Sequence, residues 1–190
     1  MSVRRALALA GLLAATACVP KPAPPPSPPP AAMATNPIVG GAEMLPTRTL
    51  LANLTASRDH SRFVAAVRAA GLDGALGGAA AHTVFAPTDA AFAALPNGTL
   101  DALMNARSRP ELQNLVGLHI LPRQLRRTDI AIAGGSRYPT LNYGAVVARV
   151  EGGRILLTDA NNRRVAVTQA DIRSSNGIIH VIDVVLLPRI

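Results

Sequence analysis

The stretch SSNGIIHVIDVVLLP, residues 174–188, places an imidazole and a carboxylate three residues apart, at His180 and Asp183. An imidazole oriented by a carboxylate is the working unit of general-base catalysis. The spacing argues against it here. In an extended strand side chains alternate between faces, so His180 lies with Ile178 and Ile182, and Asp183 with Ile179 and Val181. Both faces are apolar, which predicts a central, covered strand. A polar group in such a place needs a hydrogen-bond partner, so both residues are assigned to architecture.

The remaining candidates for chemistry are sparse. His119 in GLHILP falls at a passage from helix to strand, His82 precedes a strand and His60 opens a helix. The four histidines are scattered without metal-ligand spacing. No GxSxG, phosphate-loop or dinucleotide fingerprint occurs, so no catalytic residue, metal or cofactor is assigned. A glycan hydrolase would require two carboxylates at catalytic separation, for which Asp171 and Asp129 are the candidates. Arg163 and Arg164 follow the Asn161-Asn162 turn. They read as a solvated hairpin end, with contact to an acidic partner as the alternative.

Composition limits the partners. The chain has 190 residues, 49% of them hydrophobic, and a formal charge of +8. Setting aside Arg4 and Arg5 leaves 17 basic residues against 11 acidic ones, or +6. The arginines form no long run and no aromatics interleave with them, which argues against nucleic acid as a partner. With no Trp and three Phe, the core must rest on Leu, Val, Ile and Ala around Phe63, Phe85 and Phe92.

Residues 1–17, MSVRRALALAGLLAATA, have the layout of a secretory signal: two arginines, an apolar run, then small residues. Cys18 follows directly. It is the single cysteine, so an intrachain disulfide is excluded. AATAC resembles the lipidation motif of bacterial lipoproteins, in which Cys18 is acylated; plain cleavage after Ala17 is the alternative. Val19 in place of Asp favours the outer membrane over inner-membrane retention. Eight of the 16 prolines fall between residues 20 and 30. Such a run favours an extended polyproline II spacer. The expected organisation is a signal peptide over 1–17, a lipidation site and linker over 18–40, and one domain over 41–190.

Within that domain, RTLLANLTAS (48–57) suggests a short helix. DHSRFVAAVRAAG suggests a second, capped by Asp59 and stopped at Gly71. HTVFAP (82–87) reads as a strand, and TDAAFAALP as a helix capped by Thr88. Asn97-Gly98 reads as a turn, and Thr99 as the cap of a helix through Leu100 and Leu103. Ser108 and Glu111 have capping-box spacing, with Pro110 in the first turn. After Pro122 the pattern becomes β-rich, with hairpin turns at Gly152-Gly153 and Asn161-Asn162. Helices first and strands later predict an α+β domain.

The blocks TVFAPTDAAFAALP (83–96) and NGIIHVIDVVLLP (176–188) resemble the two signature blocks of the fasciclin (FAS1) family. LVGLHILP (115–122) resembles the segment between them, and FVAAVRAAGLDGAL (63–76) the lead-in helix. The resemblance implies a single α+β domain with a β-sandwich or wedge core flanked by short helices. It implies a secreted or surface-tethered module for adhesion, without catalysis. Thr83, Phe85, Pro87, Thr88, Asp89 and Phe92 match the first block; Asn176, Gly177, His180, Asp183 and Pro188 match the second; with His119 they are read as positions that determine the fold. Some animal relatives carry an Asp-Ile pair implicated in receptor contact, which Asp171 and Ile172 match. The tyrosine that precedes the family's histidine is replaced by Leu118 before His119. The expected function is a non-catalytic surface or periplasmic binding module, tethered to the membrane through lipid and contacting an envelope or extracellular protein or polysaccharide. A structural or regulatory envelope protein that binds a membrane protein, and an envelope glycan hydrolase, are the alternatives. Ligand and oligomeric state are not fixed by the sequence.

Overall fold

The computed structural model of the protein describes residues 36–95, 108–142 and 144–188. The signal-like segment, Cys18, the proline run, the Asn97-Gly98 turn and the Thr99 helix lie outside the described residues.

The domain opens with a two-stranded hairpin, β1 (Ile38–Val39) and β2 (Ala42–Glu43). β1 starts ahead of the compositional boundary at residue 41. Helix α1 (Leu50–Ala56) is capped by Thr49, whose Oγ1 accepts the N–H of Ala52 at 3.3 Å. It buries Leu50, Asn53 and Leu54. A 3₁₀ turn, Arg58–His60, leads into α2 (Ser61–Ala70), which buries Phe63, Val64, Ala66, Val67 and Ala70 and ends at Gly71. The short α3 (Asp73–Gly77) follows, then strand β3 (His82–Pro87) and α4 (Asp89–Ala93). Thr88 caps α4 as its position implies, accepting from the N–H of Ala91.

Two caps differ from expectation. Asp59 is exposed in the 3₁₀ turn and does not cap α2. Asp89 does so from α4: its carboxylate accepts the N–H of Arg62 at 2.8 Å and the hydroxyl of Ser61. A carboxylate brought by tertiary packing serves the same orphan donors as a local cap. The Ser108–Glu111 box is also absent. α5 (Arg109–Leu118) starts with Ser108 at φ −97° and ψ 16°, outside the extended conformation that aims a cap side chain at the helix, and its hydroxyl makes no cap hydrogen bond.

After α5 come β4 (Ile120–Leu121), α6 (Arg127–Ala133), β5 (Arg137–Pro139), β6 (Ala145–Glu151), β7 (Arg154–Thr158), β8 (Arg164–Ser174) and β9 (Gly177–Ile182). The seven-stranded sheet runs β4-β3-β9-β8-β7-β6-β5. β3 and β9 are parallel, in register from His82↔Gly177 to Pro87↔Ile182, while the other neighbours are antiparallel. Gly152 and Gly153, at φ 57° and 79°, make the two-residue turn between β6 and β7. Positive φ at both central positions matches the strand twist.

β8 shifts register against β9 twice, between Val167 and Gln169 and between Gln169 and Ile172. Such bulges bend a strand and sharpen its twist. The sheet has a core on each face. One core lies between helices and sheet, with Phe63, Val67, Val84, Phe92, Leu115, Ile172 and Ile179. The other gathers Phe85, Leu121, Ile130, Val146, Ile155, Leu157, Val165 and Ile182. The pleat explains the division within β3, where Val84 and Ala86 join the first core and Phe85 the second. This is an α+β fold with a mixed sheet flanked by short helices. Among the described residues no helix is long and apolar enough to cross a membrane.

Candidate functional site

Thr83 and His180, one polar residue from each sequence block, connect to the bent part of β8. Thr83 on β3 reaches the segment after β4. Its hydroxyl donates to the carbonyl of Arg123 at 2.7 Å and accepts the N–H of Leu125 at 2.8 Å. The carbonyl of Leu125 then accepts from His180 Nε2 at 2.9 Å. His180 Nδ1 accepts the N–H of Asp171 at 3.2 Å. The Asp171 carboxylate accepts the N–H of Arg127, the first residue of α6, at 2.8 Å. One chain of hydrogen bonds thus links β3, β9, β8 and α6.

His180 is fully buried and stacks on Phe85 with ring centroids 5.5 Å apart. The two bonds assign its neutral tautomer, with the proton on Nε2. Burial lowers its pKa; the Leu125 carbonyl and the Asp171 charge oppose this without reversing it. Asp183 is exposed past the end of β9, so the two residues form no dyad. His119 is also buried and neutral. Its Nδ1 donates to the Leu115 carbonyl at 2.8 Å, and its Nε2 accepts the N–H of Leu186 at 3.0 Å. Burial brings its pKa down to about 4.

Asn176 joins three elements. Its Oδ1 accepts the N–H of Leu50 at the start of α1. Its Nδ2 donates to the carbonyls of Leu76 and Gly78 at the end of α3. At Gly177 a Cβ would fall 2.0 Å from the His82 carbonyl oxygen, so only glycine permits this approach of β9 to β3.

Asp171 and Ile172 point in different directions. Ile172 is 1% exposed within the first core. Asp171 is half-buried, with φ of 60° at the second bulge. A non-glycine residue there is strained, least so for Asn or Asp, and persists where surroundings hold it. Asp129 accepts the N–H of Arg126 at 2.8 Å. Asp171 and Asp129 therefore serve neighbouring backbone donors at the start of α6, a helix-capping duty for both carboxylates.

The Arg163–Arg164 pair also separates. Arg163 folds inward: Nε and Nη2 each lie 2.8 Å from Oδ2 of Asp159, a buried carboxylate, and Nη2 donates to the Val185 carbonyl at 3.0 Å. Asp159 also accepts the N–H groups of Asn161 and Arg163, which organises the β7–β8 loop. Asn161 Nδ2 donates to the carbonyls of Leu187 and Pro188. Arg164 is exposed at the start of β8. Asp159 was missed by reasoning that looked for histidines and acid pairs; its place two residues before Asn161 in a turn was the available signal.

Two polar grooves flank Asp171. One, of about 330 Å³, is lined by residues that include Gln124, Arg126, Thr128 and Arg173. The other, of about 260 Å³, is lined by residues that include Arg127, Arg154 and Thr168. Among the described residues no group of three or more His, Cys, Asp or Glu is placed to hold a metal ion.

The two sequence blocks thus meet as the parallel β3–β9 pair, braced by buried polar residues. Residues 58–188 match the Fasciclin domain family, and the chain belongs to it. It is 33% identical over 151 residues to Protein sll1483 of Synechocystis sp., covering 80% of this chain and 79% of that one. It is 33% identical over 150 residues to transforming growth factor-beta-induced protein ig-h3 of Sus scrofa, covering 75% of this chain and 20% of that much longer protein. The solved FAS1 domain pair of the insect cell adhesion molecule Fasciclin I superposes with a TM-score of 0.66 at 21% identity, over 74% of this chain and 51% of that one. The general role of such domains is binding and adhesion.

Proposed function

We propose that this chain is a non-catalytic adhesion module held at the cell envelope, where it binds an envelope or extracellular protein or polysaccharide. The observation that carries this reading is the fasciclin match over residues 58–188. It is supported by the use of Asp171 and Asp129 as helix caps, which engages the acids a glycan hydrolase would employ. The tether rests on the sequence: a signal-like leader, Cys18 at its end and a proline spacer. Acylation at Cys18 would stand the domain off a bacterial membrane, with the outer membrane or periplasm favoured. Stable anchoring takes more than one acyl chain, which lipoprotein processing supplies.

Crosslinking in intact cells, followed by pull-down, tests the binding reading. A saturable envelope partner is the expected result; no partner at high protein concentration counts against it. Mass spectrometry of the mature N-terminus and fractionation of Cys18→Ser test the tether. Release of the variant from membranes is expected, and retention identical to the unsubstituted chain argues against lipid anchoring.

A further inference from the structure

We propose that the two grooves beside Asp171 form one track for an acidic polysaccharide, whose carboxylates meet Arg126 and Arg173 on one side and Arg127 and Arg154 on the other. This rests on the adhesion reading and names the partner class for it. Asp171 lines both grooves, so they adjoin along that residue. Among the described residues four arginines and one acid line the two grooves, and that acid's carboxylate is engaged by the Arg127 N–H. Among the described residues the ion pairs are Arg149–Glu151 and Arg163–Asp159, which leaves all four groove arginines without an acidic partner. Arg127 is steadied at the rim, with Nη1 donating to the Gly153 carbonyl at 3.1 Å.

The shape and lining select the occupant. Planar guanidinium groups match carboxylates in bidentate geometry. Hydroxyl and amide side chains at Gln124, Thr128 and Thr168 suit a hydroxyl-rich ligand. Two adjoining basic grooves fit a repeated charge better than a single ion. Among the described residues no aromatic lines either groove to offer the stacking platform of a single-stranded nucleic-acid site. The concave track also fits a polymer chain better than the broad surface of a bilayer.

The test is binding of the full chain to polygalacturonate, with neutral dextran as control. Arg126→Gln/Arg173→Gln and Arg127→Gln/Arg154→Gln are compared with Arg58→Gln, an exposed substitution outside both grooves. Circular dichroism verifies that each variant is folded. Salt-sensitive binding to polygalacturonate, none to dextran, and a loss of about tenfold or more in each groove variant but not in Arg58→Gln are expected. Equal binding to dextran, or groove variants that bind as well as the unsubstituted chain, overturns the proposal. So does a blank polygalacturonate arm, including one accompanied by binding to phosphatidylglycerol vesicles or single-stranded DNA. A protein partner captured by crosslinking beside a blank polygalacturonate arm leaves the adhesion reading standing and removes this one.

Discussion

The imidazole of His180 and the main chain of Asp171 are joined across the β8–β9 pair, Nδ1 accepting the N–H at 3.2 Å. The contact sits where β8 is out of register with β9 and no ladder bond serves that N–H. A side chain on one strand thereby supplies the acceptor that the bulge removes from the other.

Replacing His180 by Ala leaves two groups without partners, the Asp171 N–H and the Leu125 carbonyl, and opens a cavity beside Phe85. A buried unsatisfied group costs about 1–3 kcal/mol and the void adds to it, so His180→Ala should destabilise the domain by about 3 kcal/mol. Urea unfolding measures this. A loss under about 1 kcal/mol would show that the imidazole braces little.

Acid should weaken the fold as pH falls below the ordinary histidine range. Burial lowers the pKa of His60 and His180, and that of His119 to about 4. The unfolded chain takes up these protons near pH ~6.5, while the folded chain resists. Below that pH the unfolded state binds more protons, so stability falls as pH falls. For His119 the loss continues down to about 4 and amounts to on the order of 3 kcal/mol. Unfolding midpoints should therefore drop steadily across this window. A flat or rising profile contradicts the neutral assignment of these rings.

Asn176→Ala removes the acceptor for Leu50 N–H and the donor to Leu76 and Gly78 at once. The expected cost is about 3 kcal/mol. Gly177→Ala is worse, because its Cβ meets main chain instead of a movable side chain. Loss of soluble protein is expected for Gly177→Ala, with Asn176→Ala folded but weakened. Normal thermal stability of Gly177→Ala would contradict the close approach of β9 to β3.

At Asp171 the backbone selects the substitution. Asn tolerates φ near 60° and keeps an oxygen for the Arg127 N–H, so Asp171→Asn should cost under about 1 kcal/mol. Val suffers the strain and loses the acceptor, for about 3 kcal/mol. Paired thermal melts separate the two; equal losses would mean that the residue's conformation is unimportant.

Asp159→Ala strips a buried carboxylate from Arg163 and from two backbone donors of the β7–β8 loop. The Arg163 side chain is 41% exposed, so solvent screens the charge left behind, and the main loss, about 1–3 kcal/mol, comes from the backbone donors of the loop. The loop also holds residues 185–188 through Arg163 and Asn161, so faster amide exchange at residues 185–187 should accompany the loss. Exchange unchanged there would refute the coupling.

Period and punctuation revealed much of this fold. The apolar stripe of α2, the strand at HTVFAP, the covered strand through His180 and the diglycine hairpin are all local patterns. Caps were less legible, because Asp89 serves α2 from a different helix and Asp59, though nearer in sequence, does not. The bend of β8 was invisible: QAD carries no glycine or proline to mark a bulge, and the acceptor that completes it belongs to the distant His180. The site suffered most. The Asp171–Ile172 and Arg163–Arg164 pairs are adjacent in sequence, yet each sends one residue inward. The grooves take arginines from α6, β7, β8 and the turn before α6, and no window of sequence holds all four.

The parallel seam between β3 and β9 has a bearing on biosynthesis. Strand β3 waits for a neighbour far along the chain, Gly177 pairing with His82, and loop closure over that distance is slow. Until then its inner edge is open to pairing with other chains. The emerging polypeptide therefore carries an exposed strand edge until β9 is free to pair with it. Loss of β9 would be felt first as aggregation, well before any contact with a partner is tested.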